Sequence, residues 1–302
     1  MKSRLVVLLA LCVGAVGLQA GVAEAALPVI YSGAYGYAHV SPTASPPGAN
    51  DWSCEPGSAH PRPVVLVHGT FADMSDSWQA LSPLLKNNGW CVFAFNYGSY
   101  SGSGAIGVYG VGDIRNSAQE LSAFVDEVRS ATGASQVDLV GHSQGGMMPR
   151  YYLKHLGGAG AVHTLVGLSP SNHGTTLDGL FTLAGFFPGA SQFTGALCPA
   201  CRQQEAGSAF ITELNSGGET VAGVEYTVIQ TRYDQVVTPY TSAFLSGSGV
   251  HNVLLQNQCV LDFGDHLSMP YDHIVDADVL TALDPLHPRH PLCTPIAPTE
   301  GG

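Results

Sequence analysis

Charge is scarce in this chain. Asp, Glu, Lys and Arg make up 11% of its 302 residues, against about 25% in ordinary globular proteins. Positive charge is the scarcest part, with 11 Lys and Arg against 23 Asp and Glu and a formal net charge of −12. The basic residues are scattered, so the cationic stripe that holds a phosphate backbone is missing and no nucleic-acid partner is expected. Long apolar runs are missing too. The run over residues 5–18 is shorter than the about 20 residues a membrane-spanning helix requires. No later segment is long enough either, which excludes a transmembrane anchor. What the chain does have is 45% hydrophobic and 9% aromatic residues, ample for a sizeable core and contrary to a disordered chain.

The first 25 residues predict a secretory signal peptide. Lys2 and Arg4 precede the apolar run, and Ala23-Glu24-Ala25 offers an A-x-A cleavage site. The expected product is extracellular, with residues 26–302 as one domain. Export changes how cysteine reads, because an oxidising compartment favours disulfides. Beyond Cys12 there remain Cys54, Cys91, Cys198, Cys201, Cys259 and Cys293, an even number. Pairing sequence neighbours, 54 with 91, 198 with 201 and 259 with 293, is the simplest arrangement. The Cys198-Pro-Ala-Cys201 spacing would also suit zinc or redox chemistry, but no second such pair or ligand-spaced histidines accompany it, and no metal site is expected.

Residues 26–63 read as an irregular N-terminal arm, rich in Pro, Ser and Gly from 41 onward, and residues 284–302 as a tail tethered by Cys293. Between them, short β-branched runs alternate with helical patterns. Strands are expected at 64–68, 91–95, 136–140, 162–168, 225–230 and 253–256, and helices at about 76–88, from Asp113 to Gly133, at 144–156 and at 274–283. Strands uniformly apolar and separated by helices predict an α/β fold with a mostly parallel sheet covered on both faces.

The chemical signal is Gly141-His142-Ser143-Gln144-Gly145, a G-x-S-x-G between an expected strand and an expected helix. A serine on so tight a turn is held in a strained backbone and crowds its neighbours, so the flanking positions must lack side chains. Ser143 is the candidate nucleophile. Stabilising an oxyanion takes two convergent N–H groups: one is expected from Gln144, the other from Thr70 after the strand ending His68-Gly69, with Phe71 one register away as the alternative. The Thr70 hydroxyl offers a third donor. The acid should follow a strand, as Asp234 does in Thr231-Arg232-Tyr233-Asp234. Asp178 has no strand before it, and Asp262 and Asp265 stand too near the C-terminal histidines. Of the two histidines in the last loop, His266 lies within it and His273 abuts the helix. His68 and His142 read as structural turn residues.

Between Ser171 and Cys198 the strand pattern lapses. Residues 177–188 carry three Phe and three Leu with one charge, enough apolar surface to predict either a packed helix or a cap over an acyl-binding cleft. In the second case Phe186 and Phe187, with Phe71, would contact substrate.

Five segments, PRPVVLVHGTF (61–71), VDLVGHSQGGMMPRYYLKHLGG (137–158), GLSPSNHGTT (167–176), TRYDQVVTPY (231–240) and LDFGDH (261–266), closely resemble the secreted bacterial class 2 lipases of the α/β-hydrolases. The resemblance implies triacylglycerol and carboxylester hydrolysis by a Ser143–Asp234–His266 triad, with no redox or nucleotide cofactor. It also implies a lipid or other ester as substrate and transient contact with a lipid interface. An acyltransferase or a polyester hydrolase would use the same residues.

Overall fold

A computed structural model describes residues 25–32 and 41–302. The expected signal peptide lies, apart from Ala25, outside the described residues. Six strands form one parallel sheet: β1 (Val64–Val67), β2 (Val92–Phe95), β3 (Val137–His142), β4 (Val162–Leu168), β5 (Glu225–Gln230) and β6 (Val250–Leu254), in the spatial order β2-β1-β3-β4-β5-β6. The helices, in chain order, are α1 (Met74–Ser77), α2 (Leu81–Asn87), α3 (Ile114–Thr132), α4 (Gln144–His155), α5 (Leu177–Ala184), α6 (Pro199–Gln203), α7 (Ala209–Asn215), α8 (Leu255–Gln258) and α9 (His273–Leu283). None is long and apolar enough to cross a membrane.

Successive side chains on a strand point to opposite faces, and here both faces are buried. Val65 and Val67 join Leu139, Val228 and the apolar stripe of α3 (Ile114, Ala118, Leu121, Val125, Val128) in one cluster. Val64 and Leu66 join Val140, Val166 and residues of α2 and α9 in the other. That double burial is why β1 reads VVLV rather than as an alternation. Two boundaries differ from expectation. The helix expected over 76–88 is two, α1 and α2, because the ring of Pro83 clashes with the carbonyl four residues back and is tolerated only in a first turn. The last strand begins at Val250, not residue 253, since Leu255 already starts α8.

Three disulfides join Cys54–Cys91, Cys198–Cys201 and Cys259–Cys293, with S–S distances of 2.05, 2.04 and 2.00 Å. The first ties the N-terminal arm to the strand edge at β2, the second closes the start of α6, and the third tethers the tail beside α8.

Strand order reverses between β1 and β3: the chain leaves β1 for β2 on one side and returns to place β3 on the other. In open parallel sheets such a switch point opens a crevice at the carboxyl ends of the strands. The residues that follow those two strand ends are Gly69-Thr70 and Ser143.

Buried carboxylates gather around α9. Asp272 caps the helix by accepting from the Ile274 N–H at 2.8 Å, and its carboxyl lies within hydrogen-bonding reach of Asp262. Burial first, then the Asp262 charge, push its pKa up to about 7. A carboxyl raised in the folded state favours folding fully below its unfolded pKa and loses that contribution as pH climbs through the folded one. Asp272→Asn, which keeps the cap, should therefore match the parent near pH 4 and exceed it above pH 7. Between the unfolded and folded pKa values the gap widens by about 1.4 kcal/mol for each step of one in pH, reaching a total on the order of 4 kcal/mol. Thermal melts of both proteins at pH 4 and pH 8 measure it; equal gaps at the two pH values would contradict the assignment.

Candidate active site

Ser143 sits between β3 and α4 with φ 55° and ψ −122°, a region that side-chain-bearing residues rarely adopt. Two glycines make the turn sterically open. A Cβ on Gly141 would stand 1.9 Å from the Gly145 carbonyl oxygen, and one on Gly145 would stand 2.1 Å from that of Val67. The turn thus presses against the end of β1, where a Cβ on Gly69 would meet the Ser143 Cβ at 3.2 Å.

Asp234 and His266 meet from separate loops. The His266 Nδ1–H donates to Asp234 Oδ2 at 3.0 Å, both side chains fully buried. That bond leaves Nε2 as the acceptor nitrogen. The carboxylate is fixed by the N–H groups of Val236 at 2.8 Å and Val237 at 2.7 Å and by Gln230 Nε2 at 3.2 Å. Gln235 braces the histidine loop by accepting from the His266 N–H and donating to Asp265, which in turn accepts from the N–H groups of Leu267 and Ser268. His142, next to Ser143, donates from Nε2 to the His266 carbonyl at 2.9 Å and brings the two rings within 4.7 Å. Ser143 Oγ and His266 Nε2 are both buried, and among the described residues neither has a hydrogen-bond partner. Unpaired buried polar atoms call for an explanation, and Gln144 Oε1, at the same turn, is another of them.

The other candidate histidines, His68, His142 and His273, are engaged in contacts of their own. His68 is buried, donates to the Gly69 carbonyl at 2.8 Å and stacks on Tyr97 at 4.3 Å; burial pushes its pKa down to about 4. Burial and then the His266 charge push that of His142 down as well. His273 places its two ring nitrogens 2.5 Å from the Gly302 carbonyl and 3.1 Å from that of Leu292.

Among the described residues, the N–H groups of Thr70 and Gln144 have no hydrogen-bond partner, whereas the Phe71 N–H donates to the Tyr109 carbonyl at 2.9 Å. Phe71, the alternative donor, is thereby occupied, and its side chain serves elsewhere. It lines a cavity of about 390 Å³ with Leu177, Leu180, Phe181, Thr194 and Cys201. The apolar segment after β4 does form a helix, α5, and lends its Leu177, Leu180 and Phe181 to that wall. Phe186 and Phe187, expected to contact substrate, are not in the wall: Phe187 is buried in the main core cluster, and Phe186 lies past the end of α5. The reason is helical register, since residues 177, 180 and 181 share one face of α5.

Residues 61–269 match the family described as lipase (class 2). The chain belongs to the class 2 lipases. It is 37% identical over 94 residues to a triacylglycerol lipase of Pseudarthrobacter phenanthrenivorans, covering 30% of this chain and 27% of that protein. The same identity over 94 residues relates it to a triacylglycerol lipase of Burkholderia plantarii, covering 30% of this chain and 24% of the relative. The matched segment thus spans about a quarter of these curated relatives. Among solved structures it is similar to Aspergillus fumigatus lipase B, with TM-score 0.61 and 21% identity over 83% of this chain and 57% of that one. Bacillus licheniformis lipase BlEst2 in its mature form gives 0.53 and 17% over 77% and 94%. At such identities the likeness is one of fold.

In this class 2 lipase several side-chain contacts of the site had no sequence signal of their own. Gln144 Nε2 donates to Thr70 Oγ1 and to the Gly110 carbonyl, both at 2.7 Å. Gln204 at the end of α6 and Gln230 at the end of β5 do similar work from distant segments, and a glutamine at the end of an element carries no spacing that would mark it. Arg150 of α4 is fully buried, and its guanidinium grips Asn172 Oδ1 at 3.2 Å and Asn215 Oδ1 at 2.6 Å. It anchors the loop after β4 from which α5 departs.

Proposed function

We propose that this chain is a secreted serine carboxylester hydrolase, a triacylglycerol lipase acting through an acyl-enzyme, with a leader over residues 1–25 and one domain over 26–302. The observation that carries the reading is the pair of unpartnered buried atoms, Ser143 Oγ and His266 Nε2, the second backed by Asp234. His266 Nε2 takes the Ser143 proton as Oγ attacks the ester carbonyl. Asp234 holds the tautomer and stabilises the imidazolium that forms. The N–H groups of Thr70 and Gln144 receive the oxyanion, the latter at the N-terminus of α4, where the helix dipole favours negative charge. Collapse returns the proton through His266 to the leaving alcohol; water activated by the same nitrogen then releases the acid. Three disulfides support an extracellular location.

The cavity beside Phe71 is the acyl site in this reading. Each methylene buried there contributes about 0.8 kcal/mol, a roughly fourfold gain in kcat/KM per carbon while the cavity fills. A profile over p-nitrophenyl esters of increasing acyl length, run beside emulsified triglyceride, tests it. Phe181→Asp should flatten the profile by raising KM for long esters far more than for acetate. Phe181 is 51% exposed, so the melting temperature should hardly move. An equal loss on short and long esters would remove the cavity from the mechanism, and absence of ester hydrolysis in the parent protein would remove the function.

A further inference from the structure

The Thr70 hydroxyl is gripped by two carboxamides. Gln144 Nε2 donates to its Oγ1 at 2.7 Å and Gln204 Nε2 at 2.9 Å, with all three side chains buried. A hydroxyl has two acceptor lone pairs and one proton. With both lone pairs taken, donation is all it has left, and among the described residues its O–H has no acceptor.

Neither carboxamide is free to turn round. Gln144 Nε2 is committed to the Gly110 carbonyl at 2.7 Å. Gln204 lies 2.9 Å from Ser171 Oγ, a hydroxyl that suits either orientation, and the Ala200 carbonyl, which can only accept, holds the NH2 on the Thr70 side through a longer bond of 3.4 Å. The Gln204 backbone is pinned as well. It follows directly on α6, the helix begun by the Cys198–Cys201 disulfide, and its carbonyl accepts from the Thr175 N–H at 2.8 Å. One side chain thus links α6, the loop after β4 and the Thr70 turn.

We infer that Gln204 is a positioning residue for ester hydrolysis: together with Gln144 it fills the acceptor side of the Thr70 hydroxyl, so that the remaining proton is presented as a third donor to the oxyanion. This inference rests on the Ser143 acyl-enzyme reading. A donor aimed before the reaction begins needs no reorganisation when the negative charge appears, which is where such groups act most strongly. Without Gln204, Oγ1 regains a lone pair and the O–H loses its single direction. With glutamate at 204 the partner can only accept, and the Thr70 proton is drawn away from the site.

Single-turnover and steady-state kinetics on p-nitrophenyl butyrate test the inference, using Q204A, Q204E, T70V and the double variants in the full chain. T70V keeps the backbone N–H and should lower kcat about 100-fold, as losing one oxyanion donor does. Q204A should lower kcat about 10-fold and Q204E further, with KM within about twofold of the parent, the pattern of a contact made only in the transition state. In the T70V background neither Gln204 substitution should lower kcat further. Equal losses in both backgrounds, losses confined to KM, or an unaffected T70V would overturn the assignment. Labelling by a serine-reactive phosphonate, measured on every variant, separates two failures. If the parent is not labelled at Ser143, the acyl-enzyme reading fails and takes this inference with it. If Ser143 is labelled and the two substitutions are additive, only the role of Gln204 fails. Should Q204A not fold, Q204E, nearly isosteric, supplies the same cycle.

Discussion

Ser143→Ala is expected to lower ester hydrolysis by a factor on the order of 10⁴ to 10⁶, leaving only what the oxyanion donors and substrate binding contribute. The fold should survive. The variant keeps the Cβ that fits the turn at φ 55°, and it leaves untouched the glycines at 141 and 145 against which the carbonyls of Gly145 and Val67 pack. Stability should hold or rise, because the hydroxyl that is removed is buried and has no hydrogen-bond partner among the described residues, and an unsatisfied buried polar group costs about 1 kcal/mol or more. A melting curve beside a kcat measurement reads both effects. Phosphonate labelling followed by peptide mapping should mark Ser143 in the parent and nothing in the variant. Retained activity, or label at another serine, would dismantle the mechanism.

The parts of the molecule legible in the sequence are those governed by short-range rules. Strands buried on both faces appear as apolar runs, and the elbow around Ser143 announces itself because only glycine fits at Gly141 and Gly145. The cysteine pairs could be read from order alone, because the expected export would restrict cysteine to few roles and the neighbours happen to meet. Asp234 and His266 were accessible through their place after strands, although nothing local says that their side chains meet at 3.0 Å.

Other features were hidden for physical reasons. Pro83 does mark the break between α1 and α2, yet the apolar spacing of Trp78, Leu81 and Leu85 runs straight across it, since all three pack into one core cluster. In the segment after β4 composition announced an apolar wall but pointed to Phe186 and Phe187, whereas Leu177, Leu180 and Phe181 form it. That depended on where α5 ends, so Phe181 faces the cavity and Phe187 the core. The glutamines at 144, 204 and 230 act through partners up to 134 residues away. Such contacts follow from the assembled crevice at the switch point between β1 and β3, and not from any spacing along the chain.

Asp234→Asn is the complementary test, directed at the proton pathway and not at the nucleophile. Its oxygen could still accept from Val236 and Val237, so the loop should keep its shape. The NH2 group would then face His266 Nδ1, where the carboxylate now accepts a proton at 3.0 Å. A donor at that position selects the tautomer with hydrogen on Nε2, the nitrogen that receives the Ser143 proton in the proposed mechanism. Turnover should fall by about 10⁴ with KM little changed. His266→Ala removes the base itself and should cost at least as much. His273→Ala should leave turnover near that of the parent, because that ring is engaged with the carbonyls of Gly302 and Leu292 and its loss is felt in the melting temperature. Burst kinetics on a p-nitrophenyl ester separates acylation from deacylation, and both should slow together in D234N and H266A, since one nitrogen serves each step. Were H273A the inactive variant and H266A the active one, the pairing of Asp234 with His266 would be structural and the base would have to be sought elsewhere.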